Sequence, residues 1–174
     1  YIEMRALGKI LLILAFSVLI SFASTPKKTS AWNESDLPYY GLTIGGYTDD
    51  GDFLSPMDVA IDSSGNIYVI DDTLDRVQKF SPSGKFLLKF GGYGTEDGKL
   101  NDPSGIDIDS SDNIYVVDWH NSRIQKFDSS GNFLMKFGSS GTGDGQFTNP
   151  CGIAIDASGN IYITDRSNHR VQKF

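Results

Sequence analysis

The chain has 174 residues, 15 basic against 22 acidic side chains for a net charge of −7, and a single cysteine, Cys151. That length sets one domain as the expectation, and a lone cysteine excludes an internal disulfide. The acidic balance counts against a nucleic-acid partner, which wants a basic face.

Arg5 and Lys9 precede an apolar run from Ile10 to Ile20, followed by Ser21-Phe22-Ala23 with small residues where a signal peptidase reads. The stretch from Ile10 to Ala23 is short for a membrane span, which needs about 20 residues. Residues 1–23 therefore read as a signal peptide, and the chain as secreted or extracytoplasmic. The alternative is a membrane anchor through residues 10–23, which Lys27 and Lys28 just beyond keep open. Losing 1–23 removes Glu3, Arg5 and Lys9 and leaves the remainder one charge more negative. Residues 24–38 are polar and aperiodic and read as a linker, with a glycosylation sequon at Asn33-Glu34-Ser35. Tyr39 to Ile44 reads as a strand ending in Gly45-Gly46-Tyr47. It parallels Phe90-Gly91-Gly92-Tyr93 and so reads as the outer strand of a blade without its own first three.

From Pro56 the sequence repeats every 47 residues without insertion: Pro56, Pro103 and Pro150; Asp71, Asp118 and Asp165; Arg76, Arg123 and Arg170; Phe80, Phe127 and Phe174. Fixed periods of this size mark arrays, solenoids or propellers. Each copy opens on an alternating run (Val59/Ile61, Ile106/Ile108, Ile153/Ile155) that predicts a half-buried strand. A turn of Ser, Asp, Gly and Asn follows, then a second strand from Ile67, Ile114 or Ile161. After a polar loop a third strand runs from the repeated Arg to the repeated Phe. A fourth appears as Lys85–Phe90 and Asn132–Phe137, and the third copy stops before it. Four short strands per copy predict an antiparallel meander. The fold class is all-β: a β-propeller of four-stranded antiparallel blades, spanning 39–174.

The runs Pro-x-Gly-Ile-x-Ile-Asp, Asn-Ile-Tyr-Val-x-Asp and Asn-x-Arg-Ile/Val-Gln-Lys-Phe resemble the NHL repeat, over Pro56 to Phe174. The first copy departs from the pattern: Asp58 replaces the glycine, and Leu74-Asp75 replaces the Asn-His pair of Asn168-His169. The resemblance implies a six-bladed ring of which three blades are visible. The chain is then expected to be a piece of a longer one, or to self-associate by pairing with a second copy. It also implies a binding platform for a protein, glycan or small ligand, with a propeller enzyme of lyase or lactonase type and a central metal as the alternative.

Strand alternation puts the second-to-third and fourth-to-first loops on one face. The first of these loops varies inside a repeating frame: Asp72 to Asp75, Trp119 to Ser122, Arg166 to His169. Variable loops on a rigid scaffold are how binding surfaces are built. The candidate ligand-binding residues are therefore Asp72, Asp75, Trp119, His120, Asn121, Arg166, Asn168 and His169, with Tyr47 and Tyr93 from the neighbouring connections. Trp119 beside His120 is the best anchor. Asp71, Asp118 and Asp165, with Arg76, Arg123 and Arg170 five residues on, recur in every copy and read as frame rather than catalyst. His120 and His169 are the only histidines and fall out of register, so no metal site and no cofactor are expected. The Asp62-Ser63-Ser64-Gly65 turn lacks the acid spacing of a calcium loop. Cys151 is expected to be a small buried hydrophobe.

Overall fold

The computed structural model describes residues 42–45 and 50–174. The signal-like segment, the linker, Asn33, Tyr39 to Gly41 and Tyr47 lie outside the described residues. Within them the regular structure is almost entirely strand: β1 (Pro56–Ile61), β2 (Ile67–Asp71), β3 (Arg76–Phe80), β4 (Phe86–Gly91), β5 (Pro103–Ile108), β6 (Ile114–Asp118), β7 (Arg123–Phe127), β8 (Phe133–Phe137), β9 (Pro150–Ile155), β10 (Ile161–Asp165) and β11 (Arg170–Lys173). One 3-10 turn, Arg166–Asn168, interrupts them. Among the described residues no helix is long and apolar enough to cross a membrane.

The strands form antiparallel meanders in the order β1-β2-β3-β4, β5-β6-β7-β8 and β9-β10-β11. Register repeats with the sequence: Asp71 faces Arg76, Asp118 faces Arg123 and Asp165 faces Arg170. The third sheet has three strands, as the third copy's missing fourth strand predicts. Of the strand expected over Tyr39 to Ile44, only residues 42–44 fall within the described residues, and they are not assigned to a strand.

Each sheet packs a face on the next. Tyr68, Ile70 and Val77 of the first sheet bury against Ile106, Ile114, Val116 and Phe127 of the second. Tyr115, Val117 and Ile124 then bury against Phe147 and Ile163, with Ile153, Ile155 and Ile161 packed alongside. Burial on both faces explains why β6 is buried along its whole length. Polar links cross the same seams. The Ile106 N–H donates to Asp58 at 3.0 Å, and the Ile155 N–H to Asp107 at 2.6 Å. The departure at Asp58 thus makes the cross-sheet bond that Asp107 makes at the next seam. Gly105 stands where an added Cβ would lie 2.5 Å from the Cys151 carbonyl oxygen, so β5 and β9 approach too closely for a side chain.

Cys151 is exposed rather than buried. It is the second residue of β9, and Met57, at the same position of β1, is exposed too.

The turn aspartates are structural. The Asp109 carboxylate accepts the Ser111 and Asn113 N–H groups, each at 2.9 Å, and the Asn113 amide, and pairs with Lys126 at 3.1 Å. Asp62 and Asp156 accept the same set of turn donors. Burial pushes the Asp109 carboxyl up, but the Asn113 and Lys126 donors outweigh it and hold the group at about 2. Asp62 and Asp165 are lowered in the same sense against burial. A carboxyl lowered in the fold stabilises it above its unfolded value, near 4, and that stability is lost as pH falls through the folded value. Thermal denaturation followed by circular dichroism is therefore expected to give a midpoint that is flat above about pH 5 and falls steadily between about pH 4 and pH 2. A midpoint unchanged down to pH 2 would contradict this.

Candidate functional site

The loops after β2, β6 and β10 share one face with the connections 92–102 and 138–149, because each pair is hydrogen-bonded together. Asn121 Nδ2 donates to the Gly94 carbonyl and to both Asp118 oxygens, all within 3.0 Å. Asn168 Nδ2 repeats this on Gly141 and Asp165. The amides of Asn121 and Asn168, candidate ligand contacts by sequence, are thus committed to holding the loops.

Asp118 is fully buried and collects the frame. It accepts the Asn101 N–H at 2.8 Å, Arg123 Nε at 2.6 Å and Gln125 Nε2 at 3.1 Å. Asp165 likewise takes the Thr148 N–H at 2.8 Å and Arg170 Nε at 2.9 Å. The guanidinium groups go on to loop carbonyls, Arg123 to Thr95, Glu96 and Lys99. The first copy differs. Asp71 accepts the Leu54 and Ser55 N–H groups, but Arg76 turns to the Asp52 carbonyl and its Nε is buried without a partner among the described residues. Leu74 replaces the Asn that donates to the aspartate in the other copies.

Gln78, Gln125 and Gln172 belong to the same frame and were not singled out by sequence. Each accepts a loop glycine N–H (Gly51, Gly98, Gly145) at 2.9–3.0 Å and donates to the carbonyl of Asp52, Lys99 or Gln146. Their 47-residue spacing was the available signal.

What remains is the variable content. Trp119 is half-buried and stacks on the exposed His120 ring, with centroids 4.4 Å apart and planes 20° off parallel. His120 Nδ1 pairs with the Asp102 carboxylate, and the His120 N–H donates to the Asn101 carbonyl at 3.2 Å. The Asp102 N–H in turn donates to the Asp75 carboxylate at 2.7 Å. Burial pushes the Asp75 carboxyl up. The Asp102 N–H opposes that, while the carboxylates of Asp102, Asp118 and Asp72 add to it. Asp75, Asp102, His120 and Trp119 thus form one chain of contacts across the junction of the first two sheets. Asp102 was missed by sequence because its place beside His120 depends on the left-handed turn it makes before Pro103, at φ 48°.

Tyr93 is 75% exposed in the adjoining connection, one residue from the Gly94 carbonyl that Asn121 holds. Asp72 is tied locally, accepting from Thr73 Oγ1 at 3.1 Å. Arg166 and His169 are exposed on the third loop, which bonds to residues 141–149 instead of to the Trp119 cluster. Among the described residues no group of three His, Cys, Asp or Glu side chains is placed to hold a metal ion.

The sheets, their seams and their shared loop face define a sector of a β-propeller. Residues 100–127 and 147–174 match the family model of the NHL repeat, and the chain carries NHL repeats. Solved structures share the fold. A streptogramin B lyase is 16% identical with a TM-score of 0.53, the match covering 68% of this chain and 40% of that one. An auxiliary nutrient binding protein from Bacteroides thetaiotaomicron is 20% identical with a TM-score of 0.54, covering 66% and 36%. The hydrazine synthase of Kuenenia stuttgartiensis is 13% identical with a TM-score of 0.50, covering 76% and 38%. The chain therefore spans well under half the length of these proteins. Comparison with the curated proteins gives no match.

Proposed function

We propose that this chain is a secreted or surface-exposed binding module that takes a protein, glycan or small ligand on its loop face, with Trp119 as the anchor. The observation that carries this is the Trp119–His120 stack. It belongs to no repeated element of the frame, yet Asp102 and the Asn101 carbonyl hold it in place. A stacked aromatic pair on a rigid loop presents a large surface at low ordering cost, which favours binding. The nutrient binding protein shares this scaffold, which supports the reading by analogy alone.

The test is a fluorescence screen of glycans, peptides and small metabolites in a Trp32→Phe background, which leaves Trp119 as the sole indole. A saturable change in Trp119 emission with at least one ligand class is expected. A spectrum indifferent to every class that binds by an independent method would sink the assignment.

A second reading, a propeller enzyme of lyase type, is favoured by the His120–Asp102 pair. A carboxylate on Nδ1 selects the imidazole tautomer whose Nε2 can accept a proton. Under that reading Trp119 binds the substrate and His120 acts as base. Turnover abolished by His120→Ala, with ligand binding retained, distinguishes it from the first.

A further inference from the structure

The three variable loops differ in charge, in a fixed order across the loop face. The first, Asp72 to Asp75, carries two carboxylates and no base. The second, Trp119 to Ser122, carries the aromatic stack. The third, Arg166 to His169, carries a guanidinium and an imidazole and no acid. Asp72, Trp119 and Arg166 occupy the same repeat position, 47 residues apart. The frame does not ask for this difference, since the same Asp and the same Arg bracket all three loops.

The charges of the two outer loops are not engaged in ion pairs. Among the described residues neither Asp72 nor Asp75 meets a Lys, Arg or His side chain, and Arg166 meets no Asp or Glu. The Arg166 N–H donates to the Asn149 carbonyl at 3.3 Å and its carbonyl accepts the His169 N–H at 3.2 Å, so its backbone is fixed while its side chain stays exposed. That exposure belongs to the loop position: the side chains of Asp72 and Trp119 likewise meet only their own loop neighbours, Thr73 and His120. Asp75 is pushed up by burial against the opposing Asp102 N–H, with the carboxylates of Asp102, Asp118 and Asp72 adding to the shift, so a cation beside it relieves repulsion. The remaining charges on this side are committed elsewhere. Lys99 Nζ donates to the Gly91 carbonyl at 3.2 Å. Asp97 pairs with Lys136 of the outer strand β8, which sets that repeat position, shared by Asp144, at the rim.

Sheets packed face to face lie about 10 Å apart, so the acidic and basic loops stand about 20 Å apart with the Trp119–His120 stack between them. An extended polypeptide covers that distance in about six residues. A glycan of the same length brings hydroxyls and acids but few cations, whereas a peptide supplies both signs and an apolar side chain for the stack.

We propose that the ligand of this face is an extended peptide segment of about six residues, lying across the three loops. A basic side chain sits over Asp72 and Asp75, an apolar or aromatic one on the Trp119–His120 stack, and an acidic one on Arg166. The assignment rests on the loop-face reading above and adds to it the partner's chemistry and register. The aromatic contact supplies affinity, and the opposed charges at the two ends set which way the peptide lies.

The test is selection from a displayed library of random nine-residue peptides on the full 174-residue chain. Selected sequences are expected to pair a Lys or Arg with an Asp or Glu about five to seven positions apart, with an apolar residue between them. Arg166→Glu, at an exposed position, should leave the circular dichroism spectrum unchanged and lower the affinity of a selected peptide about tenfold. Exchanging that peptide's acid for lysine should then recover the binding. Asp72→Asn with Asp75→Asn, which keeps an oxygen for the Asp102 N–H, should remove the preference for the base alone. Peptides whose charges respond to neither exchange overturn the proposal. So does a library that yields no peptide while a glycan or metabolite binds Trp119 in the fluorescence screen, a result that leaves the loop-face reading standing. Peptides that bind Trp119→Ala as tightly as the wild type overturn both.

Discussion

Replacing Asp118 by alanine is expected to cost about 3–5 kcal/mol of stability, the range for removing one partner of a buried ion pair. The residue is fully buried and its carboxylate receives Arg123, Asn121, Gln125 and the Asn101 N–H. The substitution leaves the buried Arg123 without its counter-ion and strands a backbone donor at the seam between the first two sheets. Denaturant unfolding is the measurement, with the loss read from the midpoint at constant slope. Asp71→Ala is a built-in comparison. Arg76 makes no bond to Asp71 and already points to Asp52, so the loss there is confined to two loop N–H groups. It should fall to about 1–3 kcal/mol. Equal losses at the two positions would mean that the Asp–Arg pair is not what holds the frame.

Phe127→Ala is expected to be comparably severe, at about 3–5 kcal/mol. The ring has no exposed surface, and it meets Phe90 across the first seam at 4.9 Å and Phe133 within its own sheet at 6.3 Å. Removing it opens a cavity that neither sheet can close alone, because each is held by its own ladder. Phe174, at the same repeat position, is 40% exposed and touches Phe137 and Phe147 along one side. Phe174→Ala should therefore cost less than half as much. This contrast separates the contribution of being sandwiched between two sheets from that of the residue type.

Much of the architecture was legible because the repeat is unbroken. The same residue types recur where β1, β5 and β9 begin and where β2, β6 and β10 end, so three weak strand signals reinforce one another. The Asp–Arg frame was legible for the same reason. The rest depended on neighbours that a single copy does not reveal. Whether Val59, Ile106 or Ile153 is buried depends on which sheet lies before it, though all three carry the same pattern. Asn121 and Asn168 read as loop variation because the first copy has Leu74 instead. Only the bonds to Asp118, Asp165 and the facing carbonyls show them to be frame. Asp102 gave no signal, since it lies just before the repeat boundary and meets His120 only once β5 and β6 pair with Pro103 opposite Asp118.

The central claim is that a fixed frame carries a variable loop face and that Trp119 is the point of contact on it. Trp119 and Asp118 are adjacent in sequence and are assigned opposite roles, so the most direct test compares their alanine variants in binding and in stability. For Trp119→Ala the expected result is loss of the ligand found in the fluorescence screen, with stability reduced by less than about 1 kcal/mol, the scale of one aromatic contact. Binding is followed by calorimetry, since the indole is gone. If Trp119→Ala unfolds the protein, or leaves the ligand bound as tightly as before, Trp119 is a packing residue and the loop face is not the binding site.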